Sequence, residues 1–163
     1  NILGSNIGQF NKRRDYTRVV NGKNPIVAHE YIGTDVVGKD AIVVDDMISS
    51  GQSMLEVADK LKEKGAKNIH LISSFALFSD GPKSVELFQR AYENKVFDNL
   101  YTTNLSYVPE DTKKLEWFNE VDCSEHITQI INALNNHESI STFLNGKEKI
   151  LKKVNTAKEK KRF

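Results

Sequence analysis

Two adjacent carboxylates, followed within a few residues by hydroxyls and a glycine, make the most chemically pointed stretch of the chain. It reads Val43-Val44-Asp45-Asp46-Met47-Ile48-Ser49-Ser50-Gly51-Gln52-Ser53. An apolar run precedes the acids, and Met54, Leu55, Val57, Ala58 and Leu61 then recur at helical spacing. The polar turn therefore opens a helix. A helix start presents unpaired N–H groups and a partial positive charge, and such a site receives phosphate. Gly51 lets the backbone come close to a ligand, and the hydroxyls of Ser49, Ser50 and Ser53 can donate further hydrogen bonds. The carboxylates cannot favour a phosphate, so they serve something else: the diol hydroxyls of a sugar, or a magnesium ion. Acids and turn together suggest a sugar phosphate. The plainer reading is structural. Ser53-x-x-Glu56 is a capping box that would stabilise the helix with no ligand, and paired acids are common on solvated loops. A nucleoside-triphosphate P-loop is excluded, because Gly-Lys-Ser/Thr is missing.

The elements that must position this stretch alternate in type. Ile7-Gly8-Gln9-Phe10 reads as a short strand running into the basic cluster Lys12-Arg13-Arg14, and Ile26 to Ile32 as another. Asn21-Gly22 marks a turn between them. Ala41 to Val44 is a continuous apolar run, as in strands buried on both faces, and it ends at Asp45-Asp46. Gly65 is placed to cap the following helix in a left-handed conformation. Asn68 to Leu77 is the next strand, which completes a βαβ unit with a parallel sheet. Helices are expected over Pro82 to Tyr92 and Ser124 to Asn136, and short strands over Asn99 to Thr103 and Glu120 to Cys123. The expected fold is α/β: a doubly wound, mostly parallel sheet with helices on both faces, binding ligands beyond the carboxyl ends of its strands.

These residues resemble a known family. The string VVDDMISSGQSMLEVADKLKEKGA resembles the ribose-binding signature of ribose-phosphate pyrophosphokinases, the phosphoribosyl-diphosphate synthetases. Its core is shared with type I phosphoribosyltransferases. Lys12-Arg13-Arg14-Asp15 resembles the Lys-Arg-Arg that opens the synthetases' catalytic loop, and Glu138-Ser139-Ile140-Ser141 the Glu-Ser-Ile-Ser that closes their carboxyl-terminal domain. The likeness runs from about Asn6 to Leu144. It implies transfer of a diphosphoryl group from ATP to ribose 5-phosphate, with magnesium. Asp45 and Asp46 would hold the ribose hydroxyls, with Asp45 reaching the magnesium. Ser49, Ser50, Gly51, Gln52 and Ser53 would cradle the 5-phosphate. Lys12 and Arg14 would be the catalytic cations facing the ATP phosphates, where fixed charge stabilises the transferring group. Gln52 departs from the pattern, which has a second glycine there, and the connection from Lys12 to Asp45 is longer than in the best-known members. The resemblance also implies that the first strand of this domain and a whole amino-terminal, ATP-binding domain are missing, so the isolated chain is expected to have little activity. A full-length form would be a homo-oligomer.

Composition fits one globular domain. The 163 residues carry 23 Lys+Arg against 22 Asp+Glu, with 39% apolar and 28% charged side chains. The apolar content excludes a disordered chain, and no run approaches the ~20 apolar residues of a membrane span. The single cysteine, Cys123, excludes a disulfide framework. The chain reads as cytoplasmic. Residues 147–163 hold eight basic and two acidic side chains, which leaves −5 on residues 1–146. The expected division is thus a body over 1–146 and a basic helical tail over 147–163, docked by Ile150, Leu151 and Val154. Nucleic-acid binding through the tail is disfavoured by the acidic body, and no membrane partner is expected. Two rival functions share the sugar-phosphate turn: a phosphoribosyltransferase that consumes the activated sugar, and a non-catalytic regulatory subunit of a synthetase. Neither gives a reason for the loop cations and the acidic pair together.

Overall fold

The computed structural model describes residues 5–14, 17 and 26–160. The chain divides into two compact units, residues 1–35 with 144–163, and residues 36–143.

The first unit holds an antiparallel hairpin of β1 (Gln9–Arg14) and β2 (Ile26–Ile32). Phe10 lies opposite Tyr31, with ring centroids 5.1 Å apart, a cross-strand aromatic pair of the kind that fixes register. Pairing then continues through Lys12, opposite His29, to Arg14, opposite Ile26. The basic cluster, expected to open a loop, is therefore the second half of β1. The strand also begins two residues later than its sequence pattern indicates. The Asn21-Gly22 turn lies outside the described residues.

The second unit runs β3 (Ala41–Ile48), α1 (Gln52–Glu63), β4 (Ile69–Ala76), α2 (Pro82–Glu93), β5 (Asn99–Thr103), α3 (Glu110–Lys113), β6 (Phe118–Val121) and α4 (Ser124–Asn135). Its sheet is four-stranded and wholly parallel, in the order β3-β4-β5-β6, and is flanked by helices. This is the α/β fold expected. The short helix α5 (Ser141–Leu144) lies at the boundary between the units, and α6 (Lys147–Lys160) belongs to the first. On α6, Leu151 and Val154 are half-buried and Ile150 is exposed.

The α1 pattern works as its spacing indicates: Met54, Leu55, Ala58 and Leu61 are buried. The helix closes with Gly65 at φ +85°, where the Gly65 N–H donates to Lys62 O at 2.9 Å and the Ala66 N–H to Leu61 O at 3.0 Å. This is a Schellman end, which favours glycine at the left-handed position. Pro82 starts α2, where its missing N–H costs nothing. At the centre of the core Phe88 is fully buried, its ring 5.6 Å from Phe78, 5.8 Å from Phe97 and 5.6 Å from Trp117. Trp117 keeps its polar edge satisfied by donating from Nε1 to Gln89 Oε1 at 2.7 Å.

One expectation fails. Ala41 to Val44 is not buried on both faces: Ala41 and Val43 are half-buried, whereas Ile42 is 59% and Val44 71% exposed. Among the described residues β3 is an edge strand pairing only with β4, so the continuous apolar run reports one covered face.

Ser84, one turn before Phe88, is buried, and its hydroxyl has no hydrogen-bond partner among the described residues. Ser84→Ala removes an unpaired buried polar group. Thermal unfolding is expected to show unchanged or slightly higher stability, within about 1 kcal/mol. A larger loss would mean that the hydroxyl is bonded to an ordered water.

Candidate functional site

In a parallel sheet every strand ends at the same edge. Ile48, Ala76, Thr103 and Val121 close the four strands there, and open α/β sheets bind ligands beyond that edge. Asp45 and Asp46 were expected to end β3 but lie within it, because the strand continues to Ile48. The ladder to β4 is interrupted at this point: Asp45 aligns with Ser73 and Met47 with Phe75, while the Asp46 carbonyl accepts a bond from Ser73 Oγ at 3.3 Å. Asp45 Oδ1 accepts the Asp46 N–H at 2.9 Å, and Asp46 Oδ1 accepts the Met47 N–H at 2.7 Å. Both residues are exposed. One oxygen of each carboxylate is thus held by backbone, and the other faces no hydrogen-bond partner among the described residues.

The turn that follows is held from below. Gly51 is buried and adopts φ +88°, and a Cβ there would stand 2.2 Å from Phe88 Cε2. The sequence points to Gly51 as a place for close ligand approach, whereas in the fold its bareness is demanded by the aromatic core. Gly51 is also the N-cap of α1 and brings no side chain of its own to cap it. Ser53, the first residue of the capping box read at Ser53-x-x-Glu56, is the second residue of the helix. Ser49, Gln52 and Ser53 are exposed and Ser50 is half-buried, so the residue that departs from the family pattern, Gln52, has its side chain at the surface.

Sequence reasoning missed what holds this turn. The segment after β4 crosses it: Leu77 and Phe78 N–H donate to Ile48 O at 2.9 and 3.2 Å, and Ser79 N–H donates to Ser49 O at 3.0 Å. The hydroxyls of Ser79 and Ser49 are 2.8 Å apart. The available signal was Ser79-Asp80-Gly81-Pro82, a second hydroxyl- and glycine-bearing turn at the end of the neighbouring parallel strand.

The far side of the edge is laced by Asn104. Its Nδ2 donates to Asp122 Oδ1 at 2.7 Å and to Ser124 Oγ at 3.0 Å, and its Oδ1 accepts the Cys123 N–H at 2.9 Å. The Ser124 hydroxyl and N–H, with the Asn104 amide, hold the Asp122 carboxyl below its ordinary value. A carboxylate with a depressed folded pKa stabilises the fold fully above the unfolded value of about 3.9. That contribution disappears as pH falls through the lower folded value. Asn104→Ala is expected to raise the Asp122 pKa toward the ordinary range and to move the start of acid unfolding to higher pH. A carboxyl NMR titration showing no upward move would count against the assignment.

Lys12 and Arg14 belong to the other unit, where the structure describes them by backbone alone, on β1. Among the described residues no group of three or more His, Cys, Asp or Glu side chains forms a metal cage. Magnesium does not need one. It takes one or two carboxylates and fills its remaining positions with water and substrate oxygens, and the free carboxylate oxygens of Asp45 and Asp46 are donors of that kind.

A parallel α/β sheet with an acidic pair and a hydroxyl-bearing turn at its carboxyl edge is the arrangement that the sequence resemblance implies. The comparisons agree with this. The model of the phosphoribosyl synthetase-associated domain matches residues 16–145, and the chain belongs to that family. It is similar to the ribose-phosphate pyrophosphokinase of Vibrio cholerae, 30% identical over 112 residues, covering 68% of this chain and 33% of that protein. It is also similar to the ribose-phosphate pyrophosphokinase of Thermococcus kodakarensis, 32% identical over 112 residues, covering 67% and 37%. The phosphoribosylpyrophosphate synthetase of Mycobacterium smegmatis shares the fold, with a TM-score of 0.57 at 23% identity over 68% of this chain and 34% of that one. The chain thus spans about a third of the length of the curated relatives it matches. Among the described residues no helix is long and apolar enough to cross a membrane.

Proposed function

We propose that this chain supplies the ribose 5-phosphate site of a ribose-phosphate diphosphokinase, an enzyme that moves diphosphate from ATP to the anomeric hydroxyl of the sugar. The observation that carries this reading is the pairing, at one β3–α1 junction, of two exposed carboxylates with a helix start ringed by serine hydroxyls. The carboxylates accept hydrogen bonds from the ribose hydroxyls. The turn from Ser49 to Ser53 receives the 5-phosphate on amides and hydroxyls. Magnesium bound by Asp45 and substrate oxygens would neutralise phosphate charge. Lys12 and Arg14 are the cations proposed to face the diphosphoryl group of ATP.

The chain covers only a third of its relatives' length, so binding and turnover are separate expectations. Ribose 5-phosphate is expected to bind to the isolated chain with measurable heat, and ATP-dependent AMP release by the chain alone is expected to be negligible. Calorimetry without heat would defeat the binding reading. Robust AMP release would defeat the expectation of an inactive chain. A second reading, a non-catalytic subunit that associates with a full-length synthetase, is favoured by the match to the phosphoribosyl synthetase-associated domain. Co-purification of the two, with a change in the synthetase's turnover, is its test.

A further inference from the structure

We infer that Ser79, on the loop after β4, is a positioning residue for the phosphate turn and acts by directing the hydroxyl proton of Ser49 outward to the ligand. The inference rests on the sugar-phosphate reading above and names a residue that reading does not include.

The geometry is specific. The two hydroxyl oxygens are 2.8 Å apart, an ordinary O–H···O distance. Each hydroxyl owns one proton, and a bond between the two uses only one of them. If Ser79 donates, Ser49 keeps its own proton for a third group. Ser79 has the backbone to hold this role, because its N–H donates to the Ser49 carbonyl at 3.0 Å while Leu77 and Phe78 clamp Ile48 O. The loop after β4 therefore fixes both the main chain and the side-chain oxygen of the residue that opens the turn. Both serines are exposed, so a ligand can reach the pair. For an anion seated at Ser49, the Ser79-to-Ser49 direction leaves the Ser49 proton to bond it, whereas the reverse direction spends that proton on Ser79. A chain of hydroxyls polarised this way binds an anion more strongly than a lone hydroxyl does.

Four variants of the full chain test this, with ribose 5-phosphate as the probe in calorimetry. Ser79→Thr keeps a hydroxyl, and Ser79→Val keeps the shape without it. The Thr variant is expected to bind within about two-fold of the parent, and the Val variant about five- to ten-fold more weakly. In a Ser49→Ala background, Ser79→Val is expected to cost nothing further, because the residue acts only through Ser49. A purely structural role would weaken binding in both backgrounds. Equal affinity of the Thr and Val variants, or full additivity with Ser49→Ala, would overturn the inference. The underlying reading fails separately, if the parent chain gives no heat with ribose 5-phosphate.

Discussion

Gly51→Ala is expected to be among the most damaging single substitutions in the second unit, although it adds one methyl group beside an exposed turn. Two costs coincide. A side chain at φ +88° carries left-handed backbone strain, on the order of 1–3 kcal/mol. The new methyl would also stand 2.2 Å from Phe88 Cε2. That ring cannot give way, because it is fully buried between Phe78, Phe97 and Trp117. Overpacking of this kind costs about 1–3 kcal/mol more. The sum, about 2–6 kcal/mol, is enough to lower the melting temperature by about 10 °C or more. The steric share is separable. Phe88→Leu destabilises by itself, but combined with Gly51→Ala it makes room for the methyl, so the double variant is expected to lose less than the two single losses added together. Strict additivity would place the whole effect in the backbone. The consequence for the proposed function is direct: the turn proposed to receive phosphate keeps its shape because the aromatic core beneath it tolerates no side chain at that position.

How far the sequence revealed this arrangement depends on which interactions are local. The β2 boundaries, the α1 stripe, the Gly65 end and the Pro82 start all follow from neighbours within a turn or a strand, and the structure has them where the pattern places them. The limits of β1, β3 and β6 are less legible, because strand ends are set by partners. Pairing with β2 draws Lys12 and Arg14 into β1, and pairing with β4 carries β3 past the two acids to Ile48. β6 occupies Phe118–Val121, two residues ahead of its sequence reading, because Leu100 on β5 selects Phe118 as its partner. Covered and open faces of β3 could not be told apart, since Ile42 and Val44 are as apolar as their half-buried neighbours Ala41 and Val43. Within the candidate site, the acids and the turn were legible because they are contiguous. Ser79 was not, since it lies 30 residues beyond Ser49 and meets it only through parallel pairing of β3 with β4.

Replacement of both acids is expected to remove sugar binding while leaving the fold intact. Asp45 and Asp46 are exposed, and each spends one carboxylate oxygen on the next backbone N–H. Hydrogen bonds from sugar hydroxyls to an ionised carboxylate are worth roughly 1.5–3 kcal/mol each, so losing one weakens binding by about ten-fold or more. Asparagine separates charge from shape. In Asp45→Asn or Asp46→Asn the side-chain oxygen still accepts the backbone N–H, so the β3 end keeps its form, but the negative charge is gone. These variants are expected to melt with the parent and to bind ribose 5-phosphate about ten-fold more weakly. Asp45→Ala/Asp46→Ala is expected to give no measurable heat with the same ligand. Magnesium adds a discriminating arm: if Asp45 holds the ion, raising magnesium strengthens binding in the parent and in Asp46→Asn, but not in Asp45→Asn. Affinity unchanged in the double alanine variant would mean that the acids are solvated strand-end residues and that the hydroxyl turn recognises phosphate without regard to the sugar attached.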